Sequence, residues 1–413
     1  MQRVFVTGLG VVSPVGHGRE AFGQALQSGR SGAAPIAGFD TSSMDRHVGC
    51  EVKGFAARDH LTRAEVRRMG RCSAMAVAAA RMAAREAGLE GDALAGPRTS
   101  VILGTTMGEA NVLGQLEASW FHQGEDAGDR DALPQYGTTL LPIHVARAFG
   151  ARGMVQTLPA ACAAGNYAIG YALDQIRAGR ADRVITGASE VIEKLQYAGF
   201  VRLGAMAPEK CQPFDAGRRG LLLGEGAGVL ILESEESVIR RGATPLAEVG
   251  GYGLACDAHH ITRPRPDGAG SALAMRRALE ASGLSTEDVD FVNAHGTGTP
   301  SNDPVETKVL ADVFGDHAPV VTSVKSMLGH CMGAASALEA VSCVLTLEEG
   351  WVPPTIHHEE RDPACGALRL VANRAERHDV RVALNNSLAF GGYDAVLRLA
   401  RPGVLPAPAP LAA

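Results

Sequence analysis

The chain has 413 residues, of which 46% are hydrophobic and 20% charged, and its formal net charge is −6. This composition is typical of a globular protein with a sizeable core, and the length allows one large α/β domain or two fused ones. The negative charge argues against nucleic acid as a partner, because such proteins need cations for phosphate contacts.

Neither a membrane span nor a signal peptide is predicted. No apolar run has the length of a membrane helix, and the first ten residues read as a strand entering a glycine turn. The eight cysteines show no Cys-x-x-Cys spacing, which is typical of reduced thiols. We therefore expect a cytoplasmic protein without a membrane partner.

Apolar runs and helical periodicity predict alternating strands and helices in the first half of the chain. The predicted strands cover 3–8, 100–104, 154–158 (buried), 182–185 and 226–233, and the predicted helices cover 19–26, 62–89 and 159–177. Residues 115–140 are polar and irregular, and we interpret them as a loop that crosses to a partner subunit.

The second half repeats this order of elements. Its predicted strands cover 289–293, 320–324, 381–385 and 395–399, and an almost wholly apolar helix covers 334–347. The pattern predicts a duplicated α/β unit, with an N-terminal half over 1–240 and a C-terminal half over 241–400. The proline-rich tail, 401–413, is predicted to be disordered.

One cysteine, Cys162, lies at a predicted strand-to-helix turn. A thiol there sits at the positive end of the helix dipole, so we expect its pKa to fall below the ordinary value of about 8.5. The alternative is a small, inert core cysteine.

Two histidines stand out because each follows a predicted strand in the second half. His295 lies in Asn293-Ala-His-Gly-Thr-Gly-Thr299, and His330 precedes the apolar helix. In a duplicated fold these strand ends converge with Cys162 on one crevice, where a thiolate and two imidazoles suit covalent acyl chemistry. The alternatives are two structural histidines or a metal site, and no ligand spacing supports a metal.

Taken in order, the motifs resemble those of the elongating β-ketoacyl-acyl carrier protein synthases of the thiolase superfamily. The matching segments are 4–14, 161–163, 213–218 with 224–228, 295–299 with 302–303, 325–330 and 390–392. The resemblance covers almost the whole chain. It implies a thiolase-like α/β fold with duplicated αβαβα five-layered architecture, and a dimer.

The resemblance also implies a reaction. Cys162 would take an acyl group from an acyl carrier protein, and His295 and His330 would bind a malonyl thioester and help its decarboxylation. The resulting enolate would attack the acyl-cysteine in a Claisen condensation, in type II polyketide, polyene or fatty-acid biosynthesis. The backbone N–H groups of Cys162 and Phe390 would form the oxyanion hole.

Further roles come from the same resemblance. Lys325 and Glu339 match a buried ion pair behind the histidines, although a solvated helix face is the alternative for Glu339. Thr297 and Thr299 would hydrogen-bond the phosphopantetheine arm that the carrier protein delivers, with no other cofactor and no metal.

The last implied roles concern access to the site. Phe390 would act as a gate that moves on Gly391 and Gly392. The arginines proposed to dock an acidic carrier protein are Arg63, Arg67 and Arg68, for which a solvated cationic helix end is the alternative.

The chain departs from the family pattern near the gate and the nucleophile. Where Gly-Phe-Gly-Gly-Thr-Asn is usual, this chain has Ala389-Phe-Gly-Gly-Tyr393-Asp394; Ala160 and Ala164 replace frequent Thr or Ser, and Ser336 replaces Gly. We therefore expect an unusual acyl pocket and favour a type II polyketide or polyene system. Cys162 indicates the catalytic subunit, paired with itself or with a chain-length-factor-like subunit.

Three other interpretations remain open at this point. The first is an acyltransferase that passes the Cys162-bound acyl group to an alcohol or amine. The second is a biosynthetic thiolase, which would need a second cysteine motif near the site, and Cys365 lies in none. The third is a non-enzymatic subunit of a heterodimer, which would not be acylated.

Overall fold

The computed structural model describes residues 2–127, 132–281 and 283–406. The strands within them are β1 (Val4–Ser13), β2 (Gly16–His17), β3 (Ala34–Pro35), β4 (Val48–Gly49), β5 (Thr99–Gly104), β6 (Val155–Leu158), β7 (Arg183–Glu190), β8 (Gly226–Ser234), β9 (Ala247–Cys256), β10 (Phe291–Asn293), β11 (Val320–Thr322), β12 (Trp351–Val352), β13 (Arg369–Leu370), β14 (Glu376–Arg377), β15 (Val382–Ala389) and β16 (Tyr393–Ala400).

The helices of the same described residues alternate with these strands. They are α1 (Gly18–Gln27), α2 (Arg63–Val66), α3 (Arg71–Glu86), α4 (Ala110–Gln123), α5 (Leu140–Phe149), α6 (Ala164–Arg177), α7 (Lys194–Arg202), α8 (Glu235–Arg241), α9 (Ala269–Glu280), α10 (Asn302–Phe314), α11 (Lys325–Leu328) and α12 (Ala335–Glu349). Short 3₁₀ turns at Ala161–Ala163 and Met332–Ala334 precede α6 and α12.

Two sets of five strands have the same spatial order, β1-β8-β7-β5-β6 and β9-β16-β15-β10-β11. The pairing directions also correspond: β5 is parallel to β6 and β7, and β10 is parallel to β11 and β15. The sets join where Phe5 and Val6 of β1 pair with Glu248 and Ala247 of β9. The predicted duplication is therefore confirmed.

Helices cover both faces of each set and also separate the two sets. In the middle, α6 packs on β5 and β7, α12 packs on β8 and β15, and the two helices contact each other. On the outside, α3 covers β1 and β8, while α9 covers β9 and β16. The result is the predicted αβαβα arrangement of five layers. All residues of α12 from Ala335 to Leu347 are buried, as its mostly apolar sequence requires of a helix in a central layer.

Glycines on the strands allow the outer helices to approach closely. A Cβ atom at Gly10 would lie 1.8 Å from the carbonyl oxygen of Ala79 in α3, and one at Gly253 would lie 1.9 Å from that of Ala274 in α9. The same strand-to-helix contact is thus built from glycine in both halves.

Three predictions about local structure are wrong. Residues 62–89 form α2 and α3 rather than one helix, because the buried carboxylate of Glu109 accepts the N–H groups of Cys72 and Ser73 at the start of α3. Part of 115–140 belongs to the helices α4 and α5. The strand β6, predicted to be buried, is the edge strand of its set, with Val155 and Gln156 exposed.

Two remaining expectations concern the chain's end and membranes. Of the tail predicted to be disordered, residues 407–413 lie outside the described residues. Among the described residues, no helix has the length and apolar character needed to cross a membrane.

The tight packing of Gly253 gives a stability test. We expect Gly253→Ala to lower the free energy of unfolding by about 1–3 kcal/mol, because the new methyl group meets backbone atoms that cannot turn away. Denaturant unfolding would measure it. Gly199→Ala in α7 is the control, since a Cβ there has nothing within 4 Å. It should leave stability unchanged or raise it by up to about 1 kcal/mol. Equal effects of the two substitutions would contradict this account of the packing.

Candidate active site

One cavity of about 520 Å³ contains the three residues that the sequence singled out, Cys162, His295 and His330. Cys162 and His295 lie just beyond the carboxyl ends of the parallel strands β6 and β10, and His330 follows β11 after the short helix α11. The duplicated topology brings these strand ends to one crevice, as predicted. The cavity is also lined by apolar side chains, among them Phe200, Leu203, Leu221, Leu388 and Phe390.

Cys162 lies in a strained turn between β6 and α6. The preceding residue, Ala161, has φ of +46°, and Met332 has φ of +47° at the equivalent position before α12. A positive φ in a residue with a Cβ costs about 1–2 kcal/mol, so the strain recurs at equivalent points of the two halves. The counterpart of Cys162 in the second half is Gly333, and only the first half supplies a thiol.

The environment of the Cys162 thiol contradicts the expected fall in its pKa. The side chain is buried, and burial raises the pKa of Cys162 to about 11. The positive charge of Lys325 and hydrogen bonds to the backbone N–H groups of Phe390 and Cys162 act in the opposite direction. Burial outweighs them, so the resting side chain is a protonated thiol.

The same two N–H groups are the pair predicted to form an oxyanion hole. Both lie within hydrogen-bonding distance of the sulfur atom. The turn at Cys162 is further held by Ser387, whose hydroxyl donates to the Cys162 carbonyl oxygen at 3.2 Å. Two fixed donors beside a nucleophile can stabilise an anion that forms on an attacked carbonyl.

The rings of His295 and His330 meet edge to face, with centroids 5.5 Å apart and an interplanar angle of 84°. Burial, and then the charge of Lys325, lower the pKa of both histidines well below 6.5, so both imidazoles are neutral. The Nδ1 atom of His330 accepts the N–H of Met332 at 3.1 Å, which assigns its proton to Nε2. Among the described residues, Nδ1 of His295 has no hydrogen-bond partner.

Lys325 and Glu339 form an ion pair with both side chains 1% exposed. The alternative that Glu339 belongs to a solvated helix face is therefore wrong. Burial raises the pKa of Glu339, and Lys325 opposes that rise. The ammonium group is the positive charge that influences Cys162 and both histidines.

The residues predicted to bind the pantetheine arm and to form the gate also line the cavity. The hydroxyl groups of Thr297 and Thr299 lie 2.9 Å apart on its wall. The ring of Phe390 stacks on Phe200, with centroids 5.6 Å apart. The next two residues, at Gly391 and Gly392, have φ of +84° and +76°, which residues with a Cβ rarely adopt.

The predicted docking arginines do not belong to this cavity. Arg63 starts α2, and Arg67 and Arg68 follow it; all three are exposed. Within the described chain, no group of three His, Cys, Asp or Glu side chains is arranged to hold a metal ion.

Two buried carboxylates position the site and were missed in the sequence. Glu306 accepts the N–H groups of His295 at 2.6 Å and Gly296 at 2.7 Å, which fixes the loop that carries the histidine. Glu190, in the first half, accepts the N–H groups of Thr106 and Met107 and also that of Gly333 in the second half. The sequence did carry a signal for Glu190, which is an acidic residue among small or apolar neighbours at the end of a predicted strand.

One departure from the family pattern has a visible role. The hydroxyl of Ser336 accepts the N–H of Asn166 at 3.1 Å, and the Ser336 carbonyl accepts a hydrogen bond from Asn385 at 2.8 Å. The serine thus links the two central helices with β15.

The protonated thiol leads to a pH prediction. With a pKa of about 11, alkylation of Cys162 by iodoacetamide should accelerate about tenfold per pH unit between pH 7 and 10, because only the thiolate reacts. Peptide mass spectrometry would follow the modification. The Cys162→Ala variant is the control, because it reports the alkylation of the exposed thiol of Cys256 alone. A rate that levels off below pH 8 would show that burial does not control this thiol.

Comparisons with known proteins identify the family. Family models described as the N-terminal and C-terminal domains of beta-ketoacyl synthase match residues 1–237 and 246–359. The chain is 41% identical over 407 residues to nodulation protein E of Rhizobium meliloti (strain 1021), covering 96% of this chain and 98% of that protein. It is 39% identical over 405 residues to 3-oxoacyl-[acyl-carrier-protein] synthase 2 of Synechocystis sp., covering 96% and 97%.

A solved structure shares the whole architecture. The ishigamide ketosynthase/chain length factor structure matches with a TM-score of 0.94 and 44% identity, covering 97% of this chain and 100% of that one. The matches in sequence and in structure extend over both halves of the chain. The chain therefore belongs to the beta-ketoacyl synthase family.

Proposed function

We propose that this chain condenses an acyl group held on Cys162 with a malonyl group carried by an acyl carrier protein. The observation that carries the proposal is the content of one buried cavity: a thiol beside two fixed N–H donors, facing two neutral imidazoles. The thiol and the two N–H donors suit acyl transfer. The two imidazoles suit the stabilisation of an enolate.

The first step is transfer of the acyl group. The sulfur of Cys162 attacks the carbonyl carbon of the incoming thioester, a new carbon–sulfur bond forms, and the carrier's thiol leaves with the proton of the cysteine. The backbone N–H groups of Cys162 and Phe390 stabilise the tetrahedral oxyanion. Because the resting thiol is protonated, proton removal belongs to this step.

The second step is decarboxylation and condensation. The bond between the malonyl carboxylate and its α-carbon breaks, CO₂ leaves, and the electron pair forms an enolate whose oxygen accepts the Nε2–H of His330 and a hydrogen bond from His295. The enolate carbon then attacks the acyl-cysteine and expels the Cys162 thiolate, which regains a proton from water. The product is a β-ketoacyl thioester.

Lys325 supports both steps without touching the substrate in this proposal. Its charge lowers the pKa of His295 and His330, which keeps them as neutral donors. It also opposes the rise in the pKa of Cys162, which favours the leaving thiolate. Glu339 holds the ammonium group in place.

The proposed carrier is an acyl carrier protein, which the name of the Synechocystis relative contains. Thr297 and Thr299 would bind the pantetheine arm, and Arg63, Arg67 and Arg68 would meet acidic side chains of the carrier. The carrier's arm delivers both substrates, so the proposed chemistry uses no metal and no other cofactor. The cytoplasmic location stays a prediction from the cysteine pattern.

A second subunit is part of the proposal. Apolar side chains are exposed at the edge strand β6, where Val155 is 36% exposed and Met154, just before the strand, is 37% exposed. Phe121 on α4 is 86% exposed. An open edge with apolar side chains favours pairing with another chain. The related ishigamide structure combines a ketosynthase with a chain length factor. We propose a second copy or a subunit of that kind here, in polyketide or polyene rather than fatty-acid synthesis.

The division of labour gives a test with a single substitution. We expect His330→Ala to slow decarboxylation of malonyl-carrier protein by about 100-fold to 1,000-fold, because an oxyanion donor is lost. Acylation of Cys162 should change by less than about tenfold, since its oxyanion donors are backbone groups. Release of labelled CO₂ and intact-protein mass would report the two steps separately.

The matched control is His260→Ala, which removes an exposed histidine from the same cavity wall. It should affect neither step strongly. Equal losses of decarboxylation and acylation in His330→Ala would contradict the assigned roles.

A further inference from the structure

Two aspartates lie side by side at the back of the gate loop, Phe390–Gly392. Asp257 and Asp394 are 6% and 3% exposed, and both line the catalytic cavity. A Cβ atom at Gly270 would meet Oδ1 of Asp257 at 2.4 Å and Oδ2 of Asp394 at 2.3 Å, so both oxygens face the same point at the start of α9. Within the described part of the chain, neither of these two oxygens accepts a hydrogen bond from an N–H or O–H group.

Two buried carboxyl groups in contact cannot both be ionised at low cost, so such a pair holds one proton between them. Burial, together with the charge of Asp257 and a hydrogen bond to it, raises the pKa of Asp394 to about 8. At neutral pH Asp394 therefore holds a proton that its carboxyl group can donate to Asp257.

The pair joins the two loops that form this side of the cavity. The N–H of Asp257 donates to the carbonyl oxygen of Gly392, and the N–H of Gly391 donates to that of Ile261, both at 2.9 Å. Asp394 follows the gate loop directly after Tyr393. The shared proton is thus a third link between the gate loop and residues 257–261.

The link is particular to this sequence. The family pattern has Asn where this chain has Asp394. An amide can donate to Asp257 at any pH, whereas a carboxyl group can do so only while it holds its proton.

The other charged or titratable groups around the pair do not replace this proton. From α6, Tyr167 faces Asp394, and burial raises the pKa of that tyrosine to about 12. Cys256 on β9 and Tyr393 on β16 lie opposite each other, next to Asp394. The backbone N–H of Arg265 donates to Asp257 at 2.8 Å, while its guanidinium group pairs with Asp267.

Two more groups, His260 and Arg263, line the same cavity. Among the described residues, no basic side chain forms an ion pair, with nitrogen and oxygen within 4.0 Å, with either carboxyl group of the pair. The charge of Arg265 acts on Asp257 from a distance, but its guanidinium group is paired with Asp267 and forms no ion pair with the two aspartates.

We propose that the proton shared by Asp257 and Asp394 fastens the gate loop in its closed position, so that loss of this proton releases the loop. The inference deepens the proposed function, because a gate at Phe390 matters only if a second substrate must enter. Asp394 is a positioning residue here and takes no part in bond making.

The direction of the pH effect follows from the raised pKa. The closed loop holds the proton more tightly than an open loop, in which Asp394 is hydrated and has an ordinary pKa of about 4. Opening therefore releases a proton, and the open form gains population as the pH rises toward about 8. Above that pH both forms are deprotonated and the population stops changing.

Hydrogen exchange of the full-length protein tests this without any turnover. The protection factors of the Gly391 and Asp257 amides, corrected for intrinsic exchange, should fall by about 10-fold to 100-fold between pH 6 and 8 and stay level to pH 9. Amides of the central strand β8 are the internal reference for global opening.

Asp394→Asn is the matched variant, because it keeps the shape and the hydrogen bond but needs no shared proton. Its protection factors should change by less than about twofold over the same pH range. Asp257→Asn removes the neighbouring charge but leaves Asp394 buried, so its fall in protection should be smaller than in the natural sequence and larger than in Asp394→Asn. This second variant keeps the test available if the first folds poorly.

Constant protection in the natural sequence would overturn the proposal, and so would a fall in protection in Asp394→Asn as large as that of the natural sequence. The two hypotheses also fail differently. An active condensing enzyme with constant protection would remove only the role of the aspartate pair. A proton-dependent loop in a protein that does not condense acyl groups would remove only the proposed function.

Discussion

The buried ion pair between Lys325 and Glu339 is the interaction on which the site depends. It places a positive charge close to the reacting groups of the cavity, and that charge influences the thiol and both imidazoles. Removing either partner would leave an unpaired buried charge, which typically costs about 3–5 kcal/mol. The pair therefore contributes to the protonation states of the site and also constrains the packing of α12 against α11.

Duplication of the fold explains why these groups meet. Each half presents the carboxyl ends of parallel strands to the same crevice, and each has a strained turn leading into a central helix. The halves then differ in what they supply: the first provides Cys162, whereas the second has Gly333 at the equivalent position and provides the two histidines. Buried carboxylates, Glu190 and Glu306, hold the adjoining loops by their backbone N–H groups.

Much of this arrangement could be predicted from the sequence, because apolar strands that end in glycine-rich turns and an almost wholly apolar helix leave clear patterns. The repeated order of elements predicted the convergence of Cys162, His295 and His330. The thiol's pKa could not be predicted, since helix position indicates the dipole but not the depth of burial, and burial dominates at Cys162. The break before α3 was equally hidden, because it depends on Glu109, which lies far along the chain from Gly70. Edge and central strands share one apolar pattern, so the sequence of β6 wrongly predicts a buried strand.

The central claim is that one cavity both carries the acyl group and condenses it. The most direct measurement is a chase followed by intact-protein mass: the protein is first loaded from an acyl-carrier thioester, then mixed with malonyl-carrier protein. The account predicts an added mass of one acyl group, absent in Cys162→Ala, that disappears on the chase as a β-ketoacyl thioester two carbons longer forms with one CO₂. A loaded acyl group that leaves only as free acid, or that moves unchanged to another acceptor, would contradict it.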